Sequence, residues 1–68
     1  MVNTRKLKGR IMEHGHTINK IAAMMHMTPY TLGRKISNQS EMTLSEANDL
    51  QNILAITDRE FKDFFYTA

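Results

Sequence analysis

Apolar residues recur at spacings of three and four along most of the chain, which is the period of an α-helix that buries one side. In the first fifteen residues this pattern rests on Leu7 and Ile11. Asn3 or Thr4 offers a polar side chain that can cap the start of a helix, and Gly15 favours its end after about residue 14. The sequence therefore predicts an amphipathic first helix.

Residues 17–38 (TINKIAAMMHMTPYTLGRKISN) predict two short helices joined by a tight turn. Thr17 can cap the first of these helices, and Thr28 can cap the second, in which Pro29 suits the first helical position. The expected buried residues of the first, which should end near residues 25 and 26, are Ile18, Ile21, Ala22 and Met25. A turn this short forces a steep crossing, so a helix-turn-helix motif is predicted over about residues 17–37.

Two capping boxes predict the fourth and fifth helices. Thr43 and Glu46 in TLSE can each satisfy an unpaired backbone amide, and Thr57 and Glu60 repeat the arrangement in TDRE. The fourth helix is expected to end near residue 54 and the fifth to begin at residue 58. The expected buried residues of the fourth helix are Leu50, Ile53 and Leu54. The sequence thus predicts one all-α domain of five helices over residues 1–68.

Aromatic residues are concentrated at the end of the chain. Phe61, Phe64 and Phe65 share one side of the fifth helix, and Tyr66 follows them. So much apolar area requires burial. We expect Phe61 to enter the core and Phe65 or Tyr66 to contact a second copy of the chain, which would make a homodimer through this helix.

Length and composition exclude several classes of protein. Cysteine is absent, so disulfides and thiolate metal sites are excluded. No apolar run approaches the roughly 18 residues of a membrane span, and the pattern of a signal peptide is missing, so we expect a cytoplasmic protein without membrane contact. His14, His16 and His26 lack a neighbouring carboxylate cluster. We therefore expect no enzyme activity, metal or cofactor.

Charge is divided unevenly along the chain. Residues 1–38 carry seven lysines and arginines against one glutamate, a balance of +6, whereas residues 39–68 carry two against six acidic residues, a balance of −4. The basic half suits neutralisation of nucleic-acid phosphates, and the acidic half could repel DNA and fix the orientation of binding. The alternative is an uneven solvated surface. For the cations of the first helix the same two alternatives remain, contact with phosphate or simple exposure to solvent. These cations are Arg5, Lys6, Lys8 and Arg10.

The outer side of the third helix, which runs from Pro29 to about Ile36, holds the candidate binding residues. Arg34 could bond the O6 and N7 atoms of guanine, and Tyr30 or Thr31 could touch a thymine methyl group. Lys35 is expected to meet phosphate. Gly33 is costly in mid-helix and indicates close approach of either a DNA backbone or a partner protein.

The chain resembles the lambda-repressor-like, Cro-type helix-turn-helix proteins of bacteriophages. The resemblance rests on KIAAMMHMTPYTLGRKI, on NQSEMTLSEANDLQNIL, and on the ending ITDREFKDFFYTA, which is similar to that of small phage regulators from Gram-positive hosts. It implies five helices, binding to operator DNA, often as a dimer, and a role in the choice between lysogenic and lytic growth. It also implies that Thr28, Tyr30 and Arg34 face DNA. His26 stands where the family commonly has a glycine at the turn.

Two hypotheses follow for the function. The first is a Cro-like transcriptional regulator that binds operator DNA through the third helix, with phosphate contacts from Thr17 and Lys20. The alternative is an antirepressor or modulator of the same fold that binds a partner repressor protein, which Ile18, Pro29 and Gly33 favour because apolar and small residues suit a protein interface. The candidate DNA-binding or partner-binding residues are Thr17, Lys20, Thr28, Pro29, Tyr30, Thr31, Gly33, Arg34 and Lys35.

Overall fold

A computed structural model describes residues 1–67, and the chain forms five α-helices with no β-strand among these residues. The helices are α1 (Thr4–Glu13), α2 (Ile18–Met24), α3 (Pro29–Ile36), α4 (Leu44–Ile53) and α5 (Asp58–Phe65). The prediction of an all-α chain with five helices is confirmed. Each predicted helix end lies within two residues of the observed one.

Every helix begins with a side-chain cap. Asn3 accepts a hydrogen bond from the Lys6 amide at the start of α1, and a threonine accepts from the amide three residues ahead in the other four helices. Those threonines are Thr17, Thr28, Thr43 and Thr57. Both predicted capping boxes are present, with Glu46 and Glu60 accepting from the cap amides. The caps satisfy amides that a short helix would otherwise leave unpaired.

The first four helices all end in the same way. The residue after the cap has a left-handed backbone, with φ of 70° at Gly15, 59° at His26, 66° at Asn38 and 52° at Ala55. The next amide then donates back to a carbonyl five residues earlier, as from Met27 to Ala22 at 3.0 Å, and this bond recurs at each junction. This is the Schellman arrangement. It turns the chain sharply and satisfies carbonyls at each helix end.

A single apolar core lies between the helices. Its largest fully buried side chains lie in α1, α2, α3 and α4 and at the residue that follows the end of α4. They are Leu7, Ile21, Leu32, Ile36, Leu50 and Leu54, all fully buried. Met25, one of the expected buried residues, is partly buried against this core together with Met27 and Met42, whereas Met24 is exposed. The predicted apolar sides of the helices are therefore the observed ones.

The expectation that Phe65 lies at an interface is wrong. Phe65 is only 4% exposed and packs its ring 4.8 Å from that of Phe61, which is itself only partly buried. The reason is that the end of α5 is tied down, because the amide of Asn3 donates to the Phe64 carbonyl at 2.8 Å. Tyr66, by contrast, is 56% exposed.

The first three residues join the ends of two helices. Val2 is buried, and its backbone N–H and C=O both bond the side chain of Asn38, just after α3, at 2.9 Å each. The carbonyl of Met1 accepts from the Thr67 amide, just after α5, at 3.0 Å. Residues 1–3 thus form a hydrogen-bonded seam between the end of α3 and the end of α5.

Much of the charge division along the chain is cancelled by folding. Arg10 meets Glu60 at 2.7 Å, Lys35 meets Glu46 at 3.0 Å, and Lys6 approaches Asp63 at 4.0 Å. Half of the six acidic side chains in residues 39–68 are therefore occupied with the basic half. Four cations of the basic half have no ion pair among residues 1–67, namely Arg5, Lys8, Lys20 and Arg34.

Ala55→Gly should raise the free energy of unfolding by about 1 kcal/mol, because an alanine held in the left-handed region carries a steric cost that glycine lacks. Urea denaturation followed by circular dichroism measures the change. Ala23→Gly is the matched control, since Ala23 is an exposed residue inside α2. This substitution should lower the free energy of unfolding by about 1 kcal/mol. Equal destabilisation by both substitutions would contradict the expectation.

Candidate binding face of the third helix

α3 is held against α2 by its inner side, which leaves its outer side open. Leu32 and Ile36 are fully buried on the inner side, and Ala22 of α2 is buried as well, as expected. Four residues, 25–28, lie between the helices. This pairing turns the opposite side of α3 to solvent.

The exposed side of α3 brings together most of the predicted binding residues. We define the α3 face as the five exposed or half-exposed residues Pro29, Tyr30, Thr31, Gly33 and Arg34. Tyr30 is its most prominent member, with 73% of its surface exposed. The hydroxyls of Thr28 and Thr31 are bonded to each other at 2.9 Å. The predicted residues of α3 therefore share one continuous surface, apart from Lys35.

Arg34 is held in one orientation on this face. Its Nε donates to the Ser40 hydroxyl at 3.1 Å, its Nη2 to the Gln39 carbonyl at 3.4 Å, and its Nη1 to the Tyr30 hydroxyl at 3.4 Å. The guanidinium also lies 5.8 Å from the centre of the Tyr30 ring, within the range of a cation–π contact. The side chain is thus bound along the protein surface, with no carboxylate among its partners.

Ser40 and Gln39 were not among the sequence-predicted site residues. They follow α3 in a polar loop, and the pattern of apolar residues carries no information about their contacts. Their position depends on the left-handed backbone of Asn38, which returns the chain toward Arg34. An asparagine directly after a helix is the one local signal that indicates such a return.

Gly33 is not required by the packing of the chain itself. A Cβ atom built on Gly33 would meet nothing within 4 Å, and the same is true of Gly9 in α1. Both glycines lie inside helices, where each costs about 0.8–1 kcal/mol relative to alanine. The α3 face is therefore open to solvent beside Gly33.

Lys35 differs from the expectation that it lies free on the outer side. Its Nζ donates to the Glu46 carboxylate at 3.0 Å and to the Glu41 carbonyl at 3.2 Å, and its side chain is only 15% exposed. The reason is that the loop after α3 brings the start of α4 beside it. Its charge is neutralised within the protein, so it adds little to the α3 face.

Thr17 and Lys20 lie apart from α3, at the start of α2. Both are exposed, and the Thr17 hydroxyl accepts from the Lys20 amide at 3.1 Å. The cap therefore occupies one lone pair of the hydroxyl. The Lys20 ammonium, a separate group, has no ion pair among the described residues. These two residues keep the exposure that a phosphate contact needs.

The histidines are dispersed in the structure. His14 contacts the Arg10 carbonyl at 3.3 Å, His16 has a buried Nδ1 atom without a hydrogen-bond partner, and His26 forms the turn between α2 and α3. Among residues 1–67, no three His, Asp or Glu side chains converge on a possible metal position. Over the same residues, no helix has the length and apolar character needed to cross a bilayer.

Three comparisons with known proteins found no relative of this chain. No family model matches the chain, and neither the curated proteins nor the solved structures contain a significant match. The function must therefore be argued from the α3 face and the charges around it.

Two contacts to the Glu46 carboxylate control its ionisation. Burial raises its pKa, but this effect is outweighed by the Thr43 amide, at 2.8 Å from the carboxylate, and by the Lys35 ammonium. The net pKa lies below the ordinary value of 4.5. Because the folded-state pKa is depressed, the stabilisation is fully present above pH 4.5 and is lost as the pH falls through the folded-state value.

Glu46→Gln should flatten the fall in unfolding free energy on acidification from about pH 6 to pH 3, since glutamine keeps an acceptor for Thr43 but carries no titrating charge. Urea denaturation at a series of pH values provides the measurement. Glu41→Gln is the control, because the Glu41 side chain is exposed and forms no ion pair among residues 1–67. An unchanged slope in Glu46→Gln would rule out this linkage.

Proposed function

We propose that the chain is a Cro-like transcriptional regulator that binds operator DNA through the α3 face. The observation that carries the proposal is an arginine oriented beside an exposed tyrosine on the outer side of the second helix of a closely joined pair. An exposed helix of this kind fits the major groove, where arginine recognises guanine. Tyr30 and Thr31 add groups that can contact a thymine methyl.

The distribution of unpaired charge supports DNA as the partner. Besides Arg34, which is assigned to guanine, Arg5, Lys8 and Lys20 have no ion pair among the described residues of the basic half. Cations of this kind release condensed counterions when they meet DNA phosphates, and binding then weakens as salt is raised. Arg10 and Lys35 are excluded from this role, because both are held by glutamates.

The biological role in the proposal comes from the resemblance to small phage regulators. In that family a Cro-type protein occupies operator sites and takes part in the choice between lysogenic and lytic growth. For the present chain this role implies a cytoplasmic protein in a bacterial host. Tyr66 would supply the contact for a homodimer, since Phe65 belongs to the core.

A second candidate function is an antirepressor that binds a repressor protein with the same face. The observation in its favour is the open space beside Gly33, together with the apolar Pro29 at the start of the helix. A small, partly apolar patch suits a protein interface. In this case the Arg34 guanidinium would bind a carboxylate of the partner.

An electrophoretic mobility shift on phage promoter-region DNA separates the two functions. The protein alone should shift a specific fragment, more weakly at moderate than at low salt. Arg34→Ala should remove about 1–3 kcal/mol of sequence preference, because one guanine contact is lost. The control is Arg59→Ala, which removes an exposed arginine from α5 and should leave the preference unchanged.

The same assay, repeated with the co-encoded repressor, tests the second function. A selective shift by the protein alone supports the regulator. If the protein alone shows no selective shift but releases or supershifts repressor-bound DNA, the α3 face recognises a protein and the regulator proposal is wrong.

The two helix glycines provide a test of whether the α3 face is the binding surface. Gly33→Ala and Gly9→Ala should each raise the free energy of unfolding by about 0.8–1 kcal/mol, since neither new methyl group meets a neighbour. Only Gly33→Ala should weaken binding, because its methyl group enters the space used by the partner. Urea denaturation and a binding titration on the same samples give both quantities. Tight binding by a stabilised Gly33→Ala variant would remove Gly33 from the interface.

A further inference from the structure

We propose that Ser40 is a positioning residue, which holds the Arg34 guanidinium so that its two remaining N–H groups form an outward fork for the O6 and N7 atoms of one guanine. This inference rests on the proposed DNA-binding function and assigns its specificity to a pair of residues. Ser40 itself lies in the loop after α3 and does not need to touch DNA.

The Arg34 guanidinium keeps two donors after its contacts within the protein are formed. Arginine has five N–H donors, one on Nε and two on each terminal nitrogen. The contacts to Ser40, Gln39 and Tyr30 use one donor on each of the three nitrogens. The two donors left are therefore on different terminal nitrogens. The proposed fork consists of the two parallel hydrogens that point away from Nε, which is the geometry that a two-acceptor group such as the O6 and N7 edge of guanine requires.

Among the three partners of the guanidinium, Ser40 forms the shortest hydrogen bond and therefore contributes most to its orientation. Its bond to Nε is 3.1 Å, whereas the contacts from the terminal nitrogens to Gln39 and Tyr30 are both 3.4 Å. Nε is also the nitrogen nearest the flexible stem of the side chain, so fixing it fixes the plane of the whole group. Without Ser40 the guanidinium would keep only the two longer contacts.

The main chain of Ser40 is in turn held by the backbone of Arg34. The amides of Gln39 and Ser40 both donate to the Arg34 carbonyl, at 2.8 and 3.1 Å. Residue 34 thus holds the loop with its main chain, and the loop holds the side chain of residue 34. The ring closes because Asn38 has a positive φ and its side chain is bonded to the backbone of Val2.

Guanine is favoured over phosphate by the position of Arg34. It lies in the second turn of α3 beside Tyr30, in the middle of the exposed face, whereas Lys20 and the α1 cations lie on other helices. A guanine contact affects the preference at one base pair, whereas a phosphate contact affects all sequences alike and changes the dependence on salt. The two are therefore distinguishable in a binding experiment.

The test is a binding titration of the selected operator fragment and of every single-base-pair variant of it, at two salt concentrations. Ser40→Ala should reduce discrimination about three- to tenfold at the same base pair as Arg34→Ala, because one bond to a charged group is lost. The salt dependence should not change. Ser40→Thr, which keeps the hydroxyl, should restore the discrimination, and Ser45→Ala, at an exposed serine of α4, should have no effect.

A second measurement tests the positioning in the free protein. Solvent exchange of the Arg34 Nε–H, observed by nitrogen-15 NMR, should become at least about threefold faster in Ser40→Ala than in Ser45→Ala, since its acceptor has been removed. Unchanged exchange would overturn the proposal whether or not DNA binds.

The outcomes of the titration distinguish a failure of the Ser40 role from a failure of the proposed DNA-binding function. If Arg34→Ala abolishes a base preference that Ser40→Ala leaves intact, the role of Ser40 is wrong and the DNA-binding function stands. A uniform loss over all sequences with a smaller salt dependence means a phosphate contact and overturns the proposal. If the unmodified protein shows no sequence preference, the proposed function fails and so does the assignment of guanine, even where the exchange data support the positioning.

Discussion

The unpaired backbone groups of short helices are the constraint on which this fold depends. Each helix has between seven and ten residues, and each leaves four N–H and four C=O groups without partners inside the helix. The chain answers with a polar cap at every start and with the same left-handed turn at four ends. These devices fix the direction of each connection. The helices can then meet around one core although the loops between them are short.

Ion pairs between the two halves of the chain decide which charges stay available outside. Arg10 is held between Glu60 and the ring of Phe64, whose centre lies 5.0 Å from the guanidinium, and Lys35 is held by Glu46. Both cations are contributed by the basic half, but neither is free for a partner. Net charge along the sequence therefore overstates the basic surface. The four cations without an ion pair among residues 1–67 are distributed over α1, α2 and α3.

Sequence patterns predicted the local features and missed the distant contacts. Thr43 and Glu46 predicted a helix start because the capping box is complete within four residues. The contact between Lys35 and Glu46 spans eleven residues and depends on the path of the intervening loop, so periodicity could not reveal it. Phe65 was misplaced because the end of α5 is bonded to residues 1–3, a contact between distant parts of the chain. On the α3 face the exposed residues followed from helical spacing, whereas the partner of Arg34 depended on one left-handed residue.

The seam at residues 1–3 connects the order of Arg34 to the edge of the core, where Val2 is buried. Val2 holds Asn38, and Asn38 shapes the loop that holds the arginine, yet these are a few hydrogen bonds at the edge of the molecule. Opening of such an edge needs less free energy than global unfolding. The conformational entropy lost when Arg34 is immobilised is therefore paid partly during folding of the seam. A substitution that breaks these hydrogen bonds would therefore loosen the side chain of a residue more than thirty positions away in the sequence.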